Sequence, residues 1–164
     1  MNTYKITAKS TKDTEKLGIA IAKSLTQGLL ICMYGDIGAG KTTLTKTIGQ
    51  CLNIKEKITS PSFVILNEYH SGRLDMYHFD LYRLENAGLE TILDELNTYA
   101  TDKNALTIVE WAEFSKKELE IDRLSLQINY INDSERLFEF KAFGEIPQKT
   151  LKKIKRNFDE NFDN

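Results

Sequence analysis

Gly35-Asp36-Ile37-Gly38-Ala39-Gly40-Lys41-Thr42 places three glycines, a lysine and a threonine within eight residues. The spacing fits G-x-x-x-x-G-K-[ST] at every defined position, and that pattern is a phosphate cradle. Glycine lets the backbone take positive φ and bring several N–H groups onto phosphate oxygens without interference from a Cβ. A helix starting near Lys41 would direct its positive dipole end at the same anion. Lys41 is then placed to reach the β- and γ-phosphates, and the Thr42 hydroxyl to ligate Mg²⁺. The expected substrate is a nucleoside triphosphate.

Such a cradle needs an acidic partner for the magnesium at the end of a neighbouring strand. Two candidates exist, Asp80 after Met76-Tyr77-His78-Phe79 and Glu110 after Leu106-Thr107-Ile108-Val109. A hard cation selects oxygen ligands, so either carboxylate could bind it directly or through water. Glu110 follows the more uniformly apolar run, and its second role would be to orient the attacking water. For each acid alone the plain alternative is a solvated carboxylate at a strand end.

The elements that must position these groups are legible around them. Leu29–Tyr34 is an apolar run of strand length, suited to a buried parallel strand. Thr42–Cys51 reads as the following helix. Upstream, Tyr4–Ala8 alternates like a strand. Ser10 or Thr11 can cap a helix that carries Leu17, Ile21 and Leu25 on one face and ends near Gly28. Downstream, Phe63–Tyr69 and Leu74–Leu81 flank Gly72 as a hairpin. Gly88–Tyr99 reads as a helix and Ala105–Val109 as a second buried strand. Leu124–Tyr130 and Leu137–Phe143 are two strands joined by Asn132-Asp133-Ser134, and a helix from Pro147 follows. Strands alternating with helices and then antiparallel pairs predict an α/β fold with a mixed sheet.

The 164 residues suit one domain, with 41% hydrophobic and 28% charged residues. A net charge of −2 provides no global basic field for gripping nucleic acid. Cys32 and Cys51 lack metal-ligand spacing and read as buried free thiols of a reducing compartment. The first residues lack a signal-peptide core and no window reaches the length of a membrane span, so a cytoplasmic protein is expected.

Ser60-Pro61-Ser62-Phe63, His78-Phe79-Asp80-Leu81-Tyr82-Arg83-Leu84 and Val109-Glu110-Trp111-Ala112-Glu113, together with the cradle and Leu17-Gly18, add a second layer of information. In order and spacing, over nearly the whole chain, they resemble the bacterial TsaE (YjeE) family, small ATPases needed for threonylcarbamoyladenosine modification of tRNA. The resemblance implies a P-loop NTPase-like three-layer sandwich, with a mixed, mostly parallel central sheet and antiparallel edge strands. It implies ATP and Mg²⁺ as cofactors, slow hydrolysis in isolation, and the TsaB–TsaD complex as partner, with tRNA reached through that complex. The nucleotide would be held by Asp36, Gly38, Ala39, Gly40, Lys41, Thr42 and Thr43, with Thr43 near the α-phosphate and Trp111 close by. Thr42, Glu110 and Asp80 would serve the metal, and Lys41, Asp80 and Glu110 the chemistry. Ser60 and Ser62 match a switch-like loop that usually reads Ser-Pro-Thr, so Ser62 keeps the hydroxyl and lacks a methyl. Ala112 stands where proline is commoner.

From spacing alone Trp111 reads as core; the resemblance adds a place beside the nucleotide. Arg83 could reach phosphate or a partner carboxylate, with a surface ion pair as the plain alternative. His70 and His78 lie outside any Cys/His cluster, and His78 shares a strand face with Asp80. In the last helix Leu151, Ile154 and Phe158 form a stripe that docks on the sheet, leaving Lys152, Lys153, Lys155 and Arg156 largely elsewhere; a tRNA or partner patch is the alternative. Two other uses of the cradle compete. A small-molecule kinase would need a lid with arginines, which the scattered arginines do not supply. A nucleotide-gated binding module needs no turnover, and its GTP version lacks an N-K-x-D segment.

Overall fold

The computed structural model describes residues 2–85, 88–115 and 119–160. Its centre is the apolar run expected to be buried, β2 (Leu29–Tyr34), of which the first five residues are buried. β5 (Ala105–Glu110), buried along its whole length, runs parallel to it. On the other side of β2 lies β6 (Arg123–Tyr130), also parallel, and beyond β5 lies β4 (Asp75–Asp80), parallel again. Antiparallel strands complete the sheet: β7 (Arg136–Phe143) on β6, β1 (Thr3–Ala8) on β7, and β3 (Leu66–Tyr69) on β4. The order is β1-β7-β6-β2-β5-β4-β3, a seven-stranded mixed sheet with a parallel centre and antiparallel edges, as the chain's pattern predicts.

Three helices cover one face. α1 (Thr11–Ser24) is capped by Ser10, whose Oγ accepts from Asp13 N at 3.2 Å, while Asp13 accepts from Lys9 N at 2.9 Å. α2 (Lys41–Cys51) follows the glycine loop, and α4 (Glu145–Glu160) packs beside α1. Leu17, Ile21, Leu44 and Ile48 bury against Ile31, Met33 and Ile108 of the sheet. The α4 stripe Leu151, Ile154 and Phe158 joins them, with Lys152, Lys155 and Arg156 exposed. Pro147 sits in the first turn of α4, where a missing N–H has no helical partner to lose. The opposite face is covered by α3 (Leu93–Ala100), whose Leu96 and Ala100 pack with Leu30, Phe79 and Val109. Three layers result.

The structure changes several expected boundaries. Phe63 and Val64 are exposed outside β3: the Pro61 carbonyl accepts from Val64 N and Ile65 N at 3.0 and 2.7 Å, and Ile65 takes φ of 71°. This turn uses the residues that the pattern extended into a strand. α3 starts five residues later than expected, because Gly88 at φ 79° turns the chain away from helical geometry. β4 alternates in sequence but is buried at five of six positions, since it lies between β3 and β5. Cys32 is buried, its thiol pushed up to about 12 by desolvation, whereas Cys51 is only half-buried. Among the described residues no helix is long and apolar enough to cross a membrane.

Phe138 on β7 lies opposite Ile6 and Ile128 and is 1% exposed. Phe138→Ala is expected to lower unfolding free energy by about 3–5 kcal/mol, the usual range for deleting a buried aromatic side chain. Urea unfolding followed by circular dichroism measures it. A loss below about 1 kcal/mol would contradict the core packing.

Candidate functional site

The loop from β2 to α2 turns on glycines. Gly35, Gly38 and Gly40 have φ of 136°, 79° and 106°. At Gly35 a Cβ would also run into the Ile128 carbonyl oxygen of β6, so only glycine lets the loop leave the sheet here. Gly40 is the N-cap of α2 and has no side chain to cap the first-turn amides, which leaves them to an anion. Ala39 is buried and closes the turn by donating its N–H to the Asp36 carbonyl at 3.1 Å.

Lys41 is 5% exposed. Its Nζ donates to the carbonyls of Gly35 and of Asp36, the latter at 3.0 Å, and lies 4.3 Å from the centre of the Trp111 ring. Burial pushes its pKa down; Glu110, Glu113, Asp80 and Asp36 pull it back up and only partly offset that effect. The ammonium thus bridges the loop backbone and an aromatic face.

The two acids sit side by side, since β4 and β5 pair with Asp80 opposite Glu110. Their partners differ. Thr42 Oγ1 donates to Glu110 at 3.0 Å from Oε1 and 3.3 Å from Oε2, and Glu110 also meets His78 Nε2 at 2.7 Å. Asp80 instead holds the turn after α2: Ser62 Oγ donates to its Oδ2 at 2.7 Å, Ser60 lies 2.7 Å from Ser62, and Tyr82 N donates to Oδ1 at 3.0 Å. Glu110 is therefore tied to the cradle and Asp80 to the Ser60–Ser62 turn, a division that strand patterns alone leave open. Both carboxylates are buried, 3% and 4% exposed.

A cavity of about 570 Å³ joins these parts. Its lining includes Gly38, Gly40, Lys41, Thr42, Thr43, Ser60, Ser62, Asp80, Glu110 and Trp111. Trp111 adopts φ of 57° at the end of β5, half-buried, 4.9 Å from Tyr82 and stacked with Phe114. It belongs to the site wall rather than to a closed core. Arg83 lies over the Phe63 ring at 4.5 Å, and both line the cavity. Asp36 side-chain chemistry lies elsewhere: the residue is exposed and lines a neighbouring cavity with Gln127 and Asn129. Thr43 borders a third cavity, beside Ser10 and Asp133. His70 is remote, paired with Glu68 and Asp75 on the β3–β4 hairpin. Tyr82, Phe63 and Ile37 line the site without having been assigned a role there, although Ile37 lies within the cradle, Phe63 follows Ser62 and Tyr82 lies two residues past Asp80.

The family model described as threonylcarbamoyl adenosine biosynthesis protein TsaE matches residues 8–138. The chain belongs to the TsaE family. The match spans the cradle, the Ser60–Ser62 turn and both acids, and leaves α4 outside. The tRNA threonylcarbamoyladenosine biosynthesis protein TsaE of Bacillus subtilis is 37% identical over 139 residues, 85% of this chain and 84% of that protein. The TsaE of Treponema pallidum is 33% identical over 129 residues, 79% of this chain and 93% of that protein. The crystal structure of Bacillus subtilis YdiB superposes with a TM-score of 0.78 at 28% identity, covering 94% of this chain and 95% of that one.

Trp111 is the only tryptophan, so its emission reports on the TsaE site directly. As pH rises, Lys41 is expected to lose its charge, and Trp111 its cationic neighbour, with a midpoint below the ordinary lysine value of 10.5, because burial works against the ammonium form. A fluorescence titration checks this, with Lys41→Met expected to lack the step. A midpoint at or above 10.5 would contradict the placement of Lys41.

Proposed function

We propose that the chain is the ATP-binding and ATP-hydrolysing member of the tRNA threonylcarbamoyladenosine modification machinery, acting with the TsaB–TsaD complex. The observation that carries the reading is the convergence of a complete phosphate cradle, the Thr42 hydroxyl and the Glu110 carboxylate on one cavity. Membership of the TsaE family supplies the biosynthetic context. The net charge of −2 agrees with tRNA being reached through the partners rather than gripped by this chain.

Thr42 and Glu110 fit magnesium. Both offer hard oxygen atoms, and among the described residues no larger cluster of acids, histidines and cysteines forms a metal cage. That suits a cation that keeps waters and shares substrate phosphates. When bound, Mg²⁺ would supply charge neutralisation on the β- and γ-phosphate oxygens.

The chain's own groups do the rest. The glycine-loop amides and the α2 N-terminus hold the phosphates, and Lys41 exchanges its carbonyl partners for phosphate oxygens. Asp80 links the site to the Ser60–Ser62 turn, which leads directly into the exposed Phe63 and Val64, so a shift of Asp80 would be passed to them along the chain. Trp111 walls the cavity against water. Thr43 and the backbone at Asp36 border the phosphate end, and the phosphate leaves as free phosphate rather than on a metabolite.

Slow ATP hydrolysis by the chain alone, altered by TsaB–TsaD, is the expected result. Lys41→Ala is expected to cost about 100-fold or more in hydrolysis, the scale for losing one preorganised charge-stabilising group. Phosphate release and modification of tRNA in a reconstituted system measure both. Full modification with Lys41→Ala would refute the reading, and full multiple-turnover modification with a non-hydrolysable analogue would replace hydrolysis by a binding switch.

A further inference from the structure

His78 is completely buried, at 0% exposure, and lies two residues before Asp80 on β4. Its register partner on β5 is Ile108, so His78, Asp80 and Glu110 project from the same face of the sheet. Nε2 is 2.7 Å from Glu110 Oε1, while Nδ1 is buried with no hydrogen-bond partner among the described residues. A proton on Nδ1 would be a buried donor without an acceptor, which proteins avoid more strictly than a bare acceptor. The proton therefore belongs on Nε2, and the imidazole is a donor to Glu110. The carboxylate then receives two donors, His78 from inside the sheet and Thr42 from α2.

We propose that His78 is a positioning residue for Glu110, holding it in one rotamer with its carboxylate turned towards Thr42 and the cavity. The proposal rests on the reading that Thr42 and Glu110 hold Mg²⁺ beside the nucleotide. Strand packing alone does not fix a glutamate: its carboxyl stands three bonds from Cα, free to rotate unless something grips it. Thr42 can keep its O–H on Glu110 while a lone pair of the same oxygen turns to the cation, but its position then follows the metal. His78 is the contact independent of the metal: it is completely buried and holds Glu110 from inside the sheet. Outer hydrogen bonds of this kind orient metal-binding carboxylates generally.

The test uses the full chain, with Mg²⁺ titrated against binding of a fluorescent ATP analogue. His78→Leu is expected to raise the Mg²⁺ midpoint about tenfold, within the range for losing an outer-shell partner, while binding in EDTA stays as in the unsubstituted chain. His78→Gln, whose amide can donate to Glu110, is expected to restore most of the Mg²⁺ affinity. Nitrogen-15 NMR of the imidazoles, free of nucleotide and metal, is expected to show His78 protonated on Nε2 and bare on Nδ1; His70→Gln assigns the signals, since the chain has two histidines. A proton on Nδ1, an unchanged midpoint in a folded His78→Leu, or a His78→Gln as weak as His78→Leu overturns the proposal. If His78→Leu does not fold, the NMR signals and a His78→Gln midpoint within about threefold of the original decide it. Thr42→Ala separates the two levels. If it shifts the midpoint and His78→Leu does not, only the role of His78 fails; if Thr42→Ala does not shift it, the magnesium reading fails and this proposal with it.

Discussion

The parallel register of β2, β5 and β4 is the constraint on which the site depends. Cys32 lies opposite Val109 and Asp80 opposite Glu110, so three strands end at one level of the sheet. The glycine loop leaves β2 at that level, and the two acids arrive there from β4 and β5. Side chains alternate between faces, so a slip of one residue in β5 would send Glu110 to the α3 side and bring Val109 to the cradle. The apolar residues below prevent it: Ile108 and Leu106 belong with the helices α1 and α2, Val109 with α3. Core packing thus sets the geometry of the site several residues away.

Concentrating Lys41, Asp80 and Glu110 in buried positions is costly, since removing ions from water costs on the order of several kcal/mol each. Mutual contacts offset part of it. Lys41 meets two carbonyls and an indole face, Glu110 a hydroxyl and an imidazole, Asp80 two serines and a backbone amide. The arrangement gives each charged group partners of its own rather than one shared ion pair. That separates the two carboxylates functionally although they are neighbours in the sheet.

Much of this was legible in the chain. The cradle is local, so its spacing determines its geometry, and β2 and β5 announce themselves as uninterrupted apolar runs. β4 was harder, because Tyr77, His78 and Asp80 make a buried strand look half-exposed; their burial comes from tertiary neighbours and from the hydrogen bonds that satisfy them. The turn at Pro61–Ile65 was hidden for the opposite reason. Phe63, Val64 and Ile65 have strand-forming side chains, and the structure exposes the first two at 81% and 63%. Aromatic and β-branched residues signal strands through packing, and here no strand packing exists. Which acid serves the cradle was out of reach, because it depends on the position of α2 relative to β5, a distance no linear pattern encodes.

The borders of the sheet carry a consequence for how the protein behaves at high concentration. An unpaired strand edge is a template on which a second chain can build, and long, flat, apolar borders invite aggregation. Here the border beside β4 is β3, only four residues long and carrying Glu68. The border beside β7 is β1, whose outward positions Thr3, Lys5 and Thr7 are polar and exposed. Among the described residues the seven strands make six pairings, which leaves one outer edge on β1 and one on β3, the first carrying a lysine and the second short. Colloidal restraint is thus written into the outermost strands, while the parallel centre stays free to be strongly apolar.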